Sequence, residues 1–516
     1  MKENFSMKRD IFQELCYPAI LSIIYGLAFI SFDFLGSSFS SVKDILLLIL
    51  QWGGCVFATY GLILLLYVNK YVFSITFPLL ILISTILTYF KITVNVSLTA
   101  SVIDLVIVND LKTSIAVISL RLIFFIIISI VLSGFIVNLR FKRVPLHHWK
   151  LMLFLSVIIT LLTNGPTKIQ YPLSYRQPFN IFYSIKDYLH NKRDISKIRP
   201  IFKGSAESND KDVTIVFILG ESLRSKNLPA NGYSRNTTPE MLKKHNVVWI
   251  KNVYSPYGVT HTSVPYLFTR ADEFHKDRAY KERSFISLFK QAKFRTFWIS
   301  NQDPDPTFVY FINEADSLLF VNEGKTIFSL GSWYDTDIIT PFKNLVNSYQ
   351  GNKLFVLHTI GSHWYYPSHY PKSFSTYKPE VNSKVISSNT YNQMRNSYDN
   401  TILFSDYFWS QITNILNNKN AIVLYLSDHA ECMGEDGQFT HNGNDKPALH
   451  YPACWVWYST KYKASHPNKI DNLRRNRLKR FDSAFLFHSI LDAGDINTKY
   501  LIPQYSIFRS INFKHD

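Results

Sequence analysis

Residues 213–222 read VTIVFILGES and residues 421–429 read AIVLYLSDH. Each is a short, continuous apolar run, as expected of a strand buried on both faces, and each stops in carboxylate or imidazole side chains. Two further runs behave alike. TFWI at 296–299 stops in Ser300-Asn301-Gln302, and LFVL at 354–357 stops in His358-Thr-Ile-Gly-Ser-His363. Polar helical stretches separate these runs. From about residue 206 the chain therefore reads as an α/β domain with a largely parallel sheet. Ligands of such sheets gather at the carboxyl ends of the strands. Three endings that carry Glu, His or Asp-His predict a convergent polar site. That site is either a centre for zinc or manganese or a structural polar cluster.

Between the first two runs lies SPYGVTHTSVP, 255–265, a turn-prone segment that leads into an apolar helical stretch. A hydroxyl at a helix start can meet a phosphate, and a neighbouring metal would lower its pKa far enough to make it a nucleophile. The competing reading is that these Ser and Thr side chains only cap the helix.

Ahead of this domain the composition changes. Five apolar runs, at about 15–36, 44–67, 72–90, 117–139 and 149–164, have the character of membrane spans, the last one short. The first is too long for a signal-peptide core and lacks a small-x-small cleavage site, so it is expected to be retained. Lys2, Lys8, Arg9, Lys70, Arg140, Lys142, Arg143 and Lys150 fall on one side, against Lys43, Lys91 and Lys112 on the other. This asymmetry places the N-terminus in the cytoplasm and everything after about 165 outside it. The stretch 91–115 is apolar but contains Asp104, Asn109 and Asp110, which suits either an amphipathic element at the membrane face or an ordinary connection. Residues 171–204 mix aromatic, Pro and basic side chains, which suits either a linker lying on the headgroups or a solvated linker with one helix.

The 516 residues include 55 Lys+Arg against 38 Asp+Glu, a formal charge of +17. That excess suits anionic lipid or phosphorylated sugar. No nucleic-acid partner is expected, because no aromatic-interleaved basic motif accompanies the charge. Four Cys exclude a disulfide scaffold, and the apolar first third excludes a fully soluble or disordered chain.

As an ordered set, GES at 220–222 with NGYSRNTTPE at 231–240, SPYGVTHTSVP, HTIGSH at 358–363 and SDHAECMGEDGQFTH at 427–441 resemble the bacterial phosphoethanolamine transferases. These belong to the alkaline phosphatase/sulfatase-like superfamily. TFWISNQ and SYDNTILFSD look most similar to the lipopolysaccharide-core-modifying branch. The resemblance covers nearly the whole chain. It implies a five-helix transmembrane domain (1–166), an interfacial linker (167–205) and a periplasmic sulfatase-like catalytic domain (206–516) of a multi-pass inner-membrane protein.

The resemblance also implies roles. Glu221, Asp428 and His429 match zinc ligands, and Thr260 matches the nucleophile that also ligates zinc. His363 and His441 match histidines that contact the phosphate or a second metal. His261 and His358 are placed either behind these groups or simply in the packing. Asn301 and Gln302 are candidates for holding the ethanolamine head or the acceptor, and His450 is a further candidate by its place in the chain.

The implied reaction moves phosphoethanolamine from phosphatidylethanolamine to a phosphorylated envelope glycolipid, through a zinc-activated intermediate on Thr260. The alternative is a phosphoglycerol transferase of the same superfamily acting on a periplasmic glucan or teichoic acid. A third reading, from another class, is an inactive membrane scaffold. The chain departs from the lipid A-modifying relatives at the cysteines that flank their nucleophile, where Pro256 and Tyr266 stand here. Within the outer domain only Cys432 and Cys454 could pair. The loop pattern that contacts lipid in the family is partly visible here, around Asn109 and Thr113.

Overall fold

Among the described residues, four segments are long and apolar enough to cross a membrane: Ile11–Phe34, Val42–Tyr67, Lys70–Thr93 and Leu120–Lys142. They belong to helices α1 (Lys2–Ala28, continued by a 3-10 turn Ile30–Phe34), α2 (Val42–Tyr67), α3 (Lys70–Val94) and α4 (Leu120–Arg143). A fifth, α5 (Trp149–Asn164), has 16 residues. At 1.5 Å per residue it reaches about 24 Å, short of a hydrocarbon core of roughly 30 Å. This computed structural model describes residues 2–34, 41–94, 97–100, 102–103, 119–143, 146–196, 199–305, 308–322, 332–384, 386–441 and 445–510. Asn95, Asp104, Asn109, Asp110, Lys112 and Thr113 lie outside them.

Helix α1 begins well before the apolar run at 15–36, because its first turns are polar but still helix-forming. Glu14 explains why they matter. It is buried and accepts from the backbone N–H groups of His147 (2.7 Å) and His148 (3.2 Å), the residues that lead into α5. A carboxylate there satisfies N–H groups that a helix start leaves unpaired. Inside the bundle, hydroxyls pair across helices: Tyr25 with Ser84 at 2.5 Å and Thr85 with Ser129 at 2.6 Å. Ser156 of α5 donates to the Gly61 carbonyl of α2 at 2.9 Å. Polar pairing of this kind supplies specificity where apolar burial alone cannot.

The stretch expected to be a linker carries two helices, α6 (Thr167–Ser174) and α7 (Phe179–Ser196). The division into compact units falls inside it, between His190 and Asn191. Most of residues 167–205 thus belongs with the helical unit.

The second unit is built on a seven-stranded sheet. The strands, in chain order, are β1 (Glu207–Ser208), β2 (Val213–Gly220), β3 (Val247–Trp249), β4 (Asn252–Tyr254), β5 (Arg295–Ser300), β6 (Ser317–Phe320), β7 (Lys353–His358), β8 (Asn420–Ser427), β9 (Cys454–Tyr458), β10 (Arg480–Asp482) and β11 (Ile496–Asn497). The large sheet has the order β3-β9-β8-β2-β7-β5-β6. Its five strands from β8 to β6 are parallel, and β9 and β3 close one edge antiparallel. The mostly parallel α/β class is as the sequence predicts. Two pairs lie apart from it, β4 parallel to β10 and β1 antiparallel to β11.

Register decides where the site falls. Gly220 pairs with Ser427, Leu219 with His358, and Ser300 with His358. All four strand ends therefore reach one edge of the sheet together, and the residues that follow them project into one space. Helix α8 (Thr260–Phe268) is held against that sheet by Val264, Leu267 and Phe268, each fully buried. Phe268 stacks on Phe285 (4.9 Å) and packs on Trp298 (5.2 Å) and Phe217 (5.8 Å). Burial of each such side chain contributes about 1.5–3 kcal/mol, enough to fix the helix and its first residue.

Candidate active site

Glu221 follows β2, and Asp428-His429 follow β8, so the Gly220–Ser427 pairing sets them side by side. All three are buried, and one ligand atom from each lies within 4.8 Å of the others. His429 Nε2 stands 3.4 Å from both Glu221 Oε1 and Asp428 Oδ2. Its Nδ1 lies 2.7 Å from the Ala430 carbonyl, which makes Nδ1 the donor and leaves Nε2 facing the carboxylates. Asp428 Oδ1 accepts from the backbone N–H groups of His429 (2.7 Å) and Ser222 (3.1 Å). Its Oδ2 is buried with no hydrogen-bond partner among the described residues.

The backbone is bent to achieve this. Ser222 has φ +58, outside the usual range for a residue with a Cβ, while its hydroxyl donates to Glu221 Oε1 at 2.7 Å. Gly361, at φ +52, packs on the Glu221 backbone, where a Cβ would come within 2.7 Å of the Glu221 oxygen.

Burial disfavours charge on His429, but Asp428 and Glu221 overcome it and push the imidazole up to about 10. Burial also acts against Glu221, where the hydrogen bond and charge of His429 win and hold it well below the usual carboxylate range. Asp428 is pushed up to about 6 by burial and by the charge of Glu221. Two carboxyls thus hold one proton-bearing imidazole between them, an arrangement that a dication in the same place would replace.

Thr260 reaches this cluster from the other side. Its Oγ1 is 3.3 Å from Glu221 Oε2, 3.5 Å from Glu221 Oε1 and 3.3 Å from His429 Nε2. It is not the helix cap, since Val259 occupies that position without any side-chain cap bond. The loop before it is fixed by residues 445–450. Ser255 is gripped twice by His450: its N–H donates to the His450 carbonyl (2.8 Å), and its carbonyl lies 2.7 Å from His450 Nδ1. His450 Nε2 is 2.9 Å from Asp445 Oδ1, and its ring stacks on Tyr254. A Cβ on Gly258 would meet Leu449 at 2.8 Å. In this geometry His450 braces the Thr260 loop and faces Ser255 and Asp445.

His363 and His441 form a wall beside the cluster. Their ring centroids are 6.0 Å apart, and His441 is 4.6 Å from His429. His363 Nδ1 is bound to the Trp364 carbonyl at 2.5 Å, and burial lowers its pKa against the charge of Glu221. His441 Nδ1 lies 3.4 Å from Glu431, a fully buried carboxylate whose two oxygens have no hydrogen-bond partner among the described residues. Glu431 was missed in the sequence, although it stands two residues after His429 in SDHAE.

The remaining candidates separate. Gln302 joins the cluster, donating to the Thr359 carbonyl (2.6 Å) and towards Glu221 Oε2 (3.4 Å). Asn301 is fully buried and turned inward: it donates to Asp335 (2.8 Å) and accepts from Trp333 (2.9 Å). Asp335 in turn accepts from the N–H groups of Ile360 (2.8 Å) and Gly361 (3.0 Å), so this pair braces the loop that carries His363. His358 is buried against Trp298 and Phe308, lies 3.1 Å from the Ser300 hydroxyl, and is pushed down to about 4 by burial. His261 is exposed beside Thr260. Cys432 and Cys454 are buried free thiols.

With this geometry in view, the comparisons are specific. The sulfatase family model matches residues 213–496. Phosphoethanolamine transferase EptC of Escherichia coli K12 is 25% identical over 354 residues, 64% of this chain and 58% of that protein. The Kdo(2)-lipid A phosphoethanolamine 7''-transferase of Salmonella typhimurium LT2 is 32% identical over 274 residues, 50% of this chain and 47% of that protein. The match thus spans about half the length of these curated relatives. Among solved structures, the integral membrane lipooligosaccharide phosphoethanolamine transferase A of Neisseria meningitidis aligns over 95% of this chain and 98% of its own, with TM-score 0.52 and 21% identity. The periplasmic domain of the Escherichia coli EptC, in complex with zinc, aligns over 62% of this chain and 92% of its own, with TM-score 0.55 and 22% identity. The resemblance carried by the motifs is borne out by these relatives, and so is the plan of N-terminal helices followed by a sulfatase-like domain.

Proposed function

We propose, from the premise that this chain belongs to the sulfatase family, that it transfers phosphoethanolamine from phosphatidylethanolamine to an envelope glycolipid, either lipopolysaccharide core or lipid A, by way of a covalent adduct on Thr260. In this reading residues 1–166 anchor the enzyme in the inner membrane with the N-terminus in the cytoplasm. Residues 206–516 work in the periplasm. The observation that carries the reading is the Thr260 hydroxyl, set at 3.3–3.5 Å from Glu221 and His429 at the strand ends.

Glu221, Asp428, His429 and the Thr260 hydroxyl would hold a zinc ion. Two carboxylates, an imidazole and a hydroxyl form a donor set that suits it, and Asp428 Oδ2, buried without a hydrogen bond and with the His429 contact at 3.4 Å, is an acceptor such an ion would satisfy. When bound, zinc would lower the hydroxyl pKa and offset charge on the phosphoryl oxygens. A second zinc beside His363 and His441 would occupy the His363 nitrogen that otherwise carries a proton, so the two roles are alternatives.

The side chains do the rest. Thr260 Oγ bonds to the donor phosphorus as the bond to diacylglycerol breaks. His363 has Nδ1 at the Trp364 carbonyl, and in this reading its Nε2 takes the threonine proton and passes it to the departing oxygen. In the second step the acceptor oxygen attacks the same phosphorus, its proton travels the same way, and Thr260 recovers its hydroxyl. Splitting one transfer into two displacements is covalent catalysis, and tethering the domain to the membrane raises the local donor concentration. Mass spectrometry of the protein after exposure to phosphatidylethanolamine tests this directly. Phosphoethanolamine on Thr260 is expected. Glycerophosphate there would favour the phosphoglycerol transferase, and an unmodified Thr260 alongside product would remove the covalent route.

A further inference from the structure

A cavity of about 600 Å³, separate from the cluster described above, is lined by Tyr254, Glu273, Lys479, Arg480 and Asp482. It is connected to the nucleophile on two sides. Tyr254 ends β4, the strand that runs into the Thr260 loop, and it pairs in parallel with Asp482 of β10. Asp482 accepts a 2.8 Å hydrogen bond from Tyr266, a residue of α8, the helix that begins at Thr260. Six residues of helix place Tyr266 about 9 Å along the axis from Thr260. Tyr257, on the loop itself, packs edge-on against the Tyr266 ring at 5.4 Å.

The chemistry of the lining is mixed in a telling way. Five of the seven residues from Arg474 to Arg480 are basic, and the last two of them, Lys479 and Arg480, enter the cavity. Arg480 lies over the Tyr254 ring at 5.3 Å. Glu273 and Asp482 supply acceptors among these cations. The residues next in sequence to two of the lining residues are large, apolar and exposed: Phe274 at 76%, after Glu273, and Leu478 at 59%, before Lys479. Cations suit a phosphate, carboxylates suit sugar hydroxyls, and an exposed apolar rim suits an alkyl chain. A bare anionic bilayer would need neither the cavity nor the carboxylates, and a water-soluble sugar phosphate would not need the rim.

We propose that this cavity binds the phosphorylated saccharide of the acceptor glycolipid, with Lys479 and Arg480 on the phosphate and Phe274 and Leu478 against its lipid part. The proposal rests on the two-step reading above, in which the acceptor arrives after diacylglycerol has left and needs a seat of its own near Thr260.

The two steps make it testable with the full-length protein in neutral phosphatidylcholine nanodiscs. The probes are phosphatidylethanolamine as donor and lipid A, with or without its phosphates, as acceptor. Arg480→Glu is expected to raise KM for phosphorylated lipid A about tenfold or more, the scale of one lost charge-assisted contact. Single-turnover release of diacylglycerol should stay within about twofold, far below that tenfold contact. Measured as binding without donor, so that no acceptor oxygen is needed, removing the phosphates should weaken the wild type by a similar factor and leave Arg480→Glu unaffected. Glu273→Gln, which keeps the cations, is expected to weaken binding of both forms of the acceptor.

Unchanged KM in Arg480→Glu would overturn the proposal. So would an equal fall in both steps. Wild-type protein that binds phosphatidylglycerol vesicles as tightly as lipid A vesicles of equal charge would also overturn it, in favour of a general membrane contact. If the wild type releases no diacylglycerol at all, the transferase reading fails instead, and the vesicle comparison still decides whether the cavity selects the phosphorylated saccharide.

Discussion

Thr260 Oγ1 and His429 Nε2 stand 3.3 Å apart, although 169 positions separate them in the chain. One is the first residue of a helix rooted in the core by Phe268, and the other follows a strand paired with the strand before Glu221. The contact is thus fixed by a core-packed helix and an inner strand of the sheet, the kind of support a reacting group requires.

Replacing Thr260 by Ala should lower transfer by at least about a thousandfold, since the group that carries the adduct is gone. The hydrogen bonds of its hydroxyl to the cluster are long, at 3.3–3.5 Å, so the unfolding temperature should shift by no more than about 1 kcal/mol of stability allows. Steady-state kinetics and a thermal melt of the same sample check both parts.

Glu221→Ala and Asp428→Ala should each abolish stoichiometric zinc on purification, as measured by elemental analysis. In the metal-free cluster, His429 is pushed up to about 10 by its two carboxylates, so ligation at Nε2 must displace a proton. Zinc affinity should therefore fall as pH is lowered from 8 to 6. Calorimetry in two buffers of different ionisation heat should show proton release on binding.

His450→Ala leaves the metal cluster intact but removes the imidazole bond to the Ser255 carbonyl and the contact with Asp445, while the backbone bond from Ser255 N–H stays. A slackened Thr260 loop should lower kcat by roughly ten- to a hundredfold with little change in zinc content. Gly258→Ala, which drives a methyl into Leu449, should act in the same direction and cost about 1–3 kcal/mol of stability.

Glu314 is buried and hydrogen-bonded to Ser284, and burial pushes its carboxyl up to about 7. The folded state therefore binds this proton when the unfolded chain, with an ordinary Glu near 4.3, has already lost it. Between about 4.5 and 7 the native state holds more protons, so its stability declines as pH rises, by on the order of 2–3 kcal/mol. Glu314→Gln mimics the protonated form and should flatten that slope in melts taken across this range.

Much of the site could be read from strand ends. GES, HTIGSH and SDH each followed a run too apolar for anything but a buried strand, and the structure gathers Glu221, His363, Asp428 and His429 at one edge. Asn301 and His450 were harder. Both carry side chains that could meet a substrate, but Asp335 and Trp333 occupy the first, and Ser255 and Asp445 the second. A polar side chain in a sequence does not disclose its partner. Glu431 escaped because a carboxylate two residues past a ligand looks like any surface acid, and only burial singles it out.

Sequence alone determined the apolar helices, the α/β class and the residue types of the cluster, because hydrophobic period and strand termini are local properties of the chain. Tertiary structure decided which of those residues meet. Strand order and register lie in long-range pairing: Gly220 opposite Ser427 and Leu219 opposite His358 bring distant endings to one edge. It also decided that Thr260 enters the cluster while His450 braces its loop, since a side chain's task is set by what packs around it.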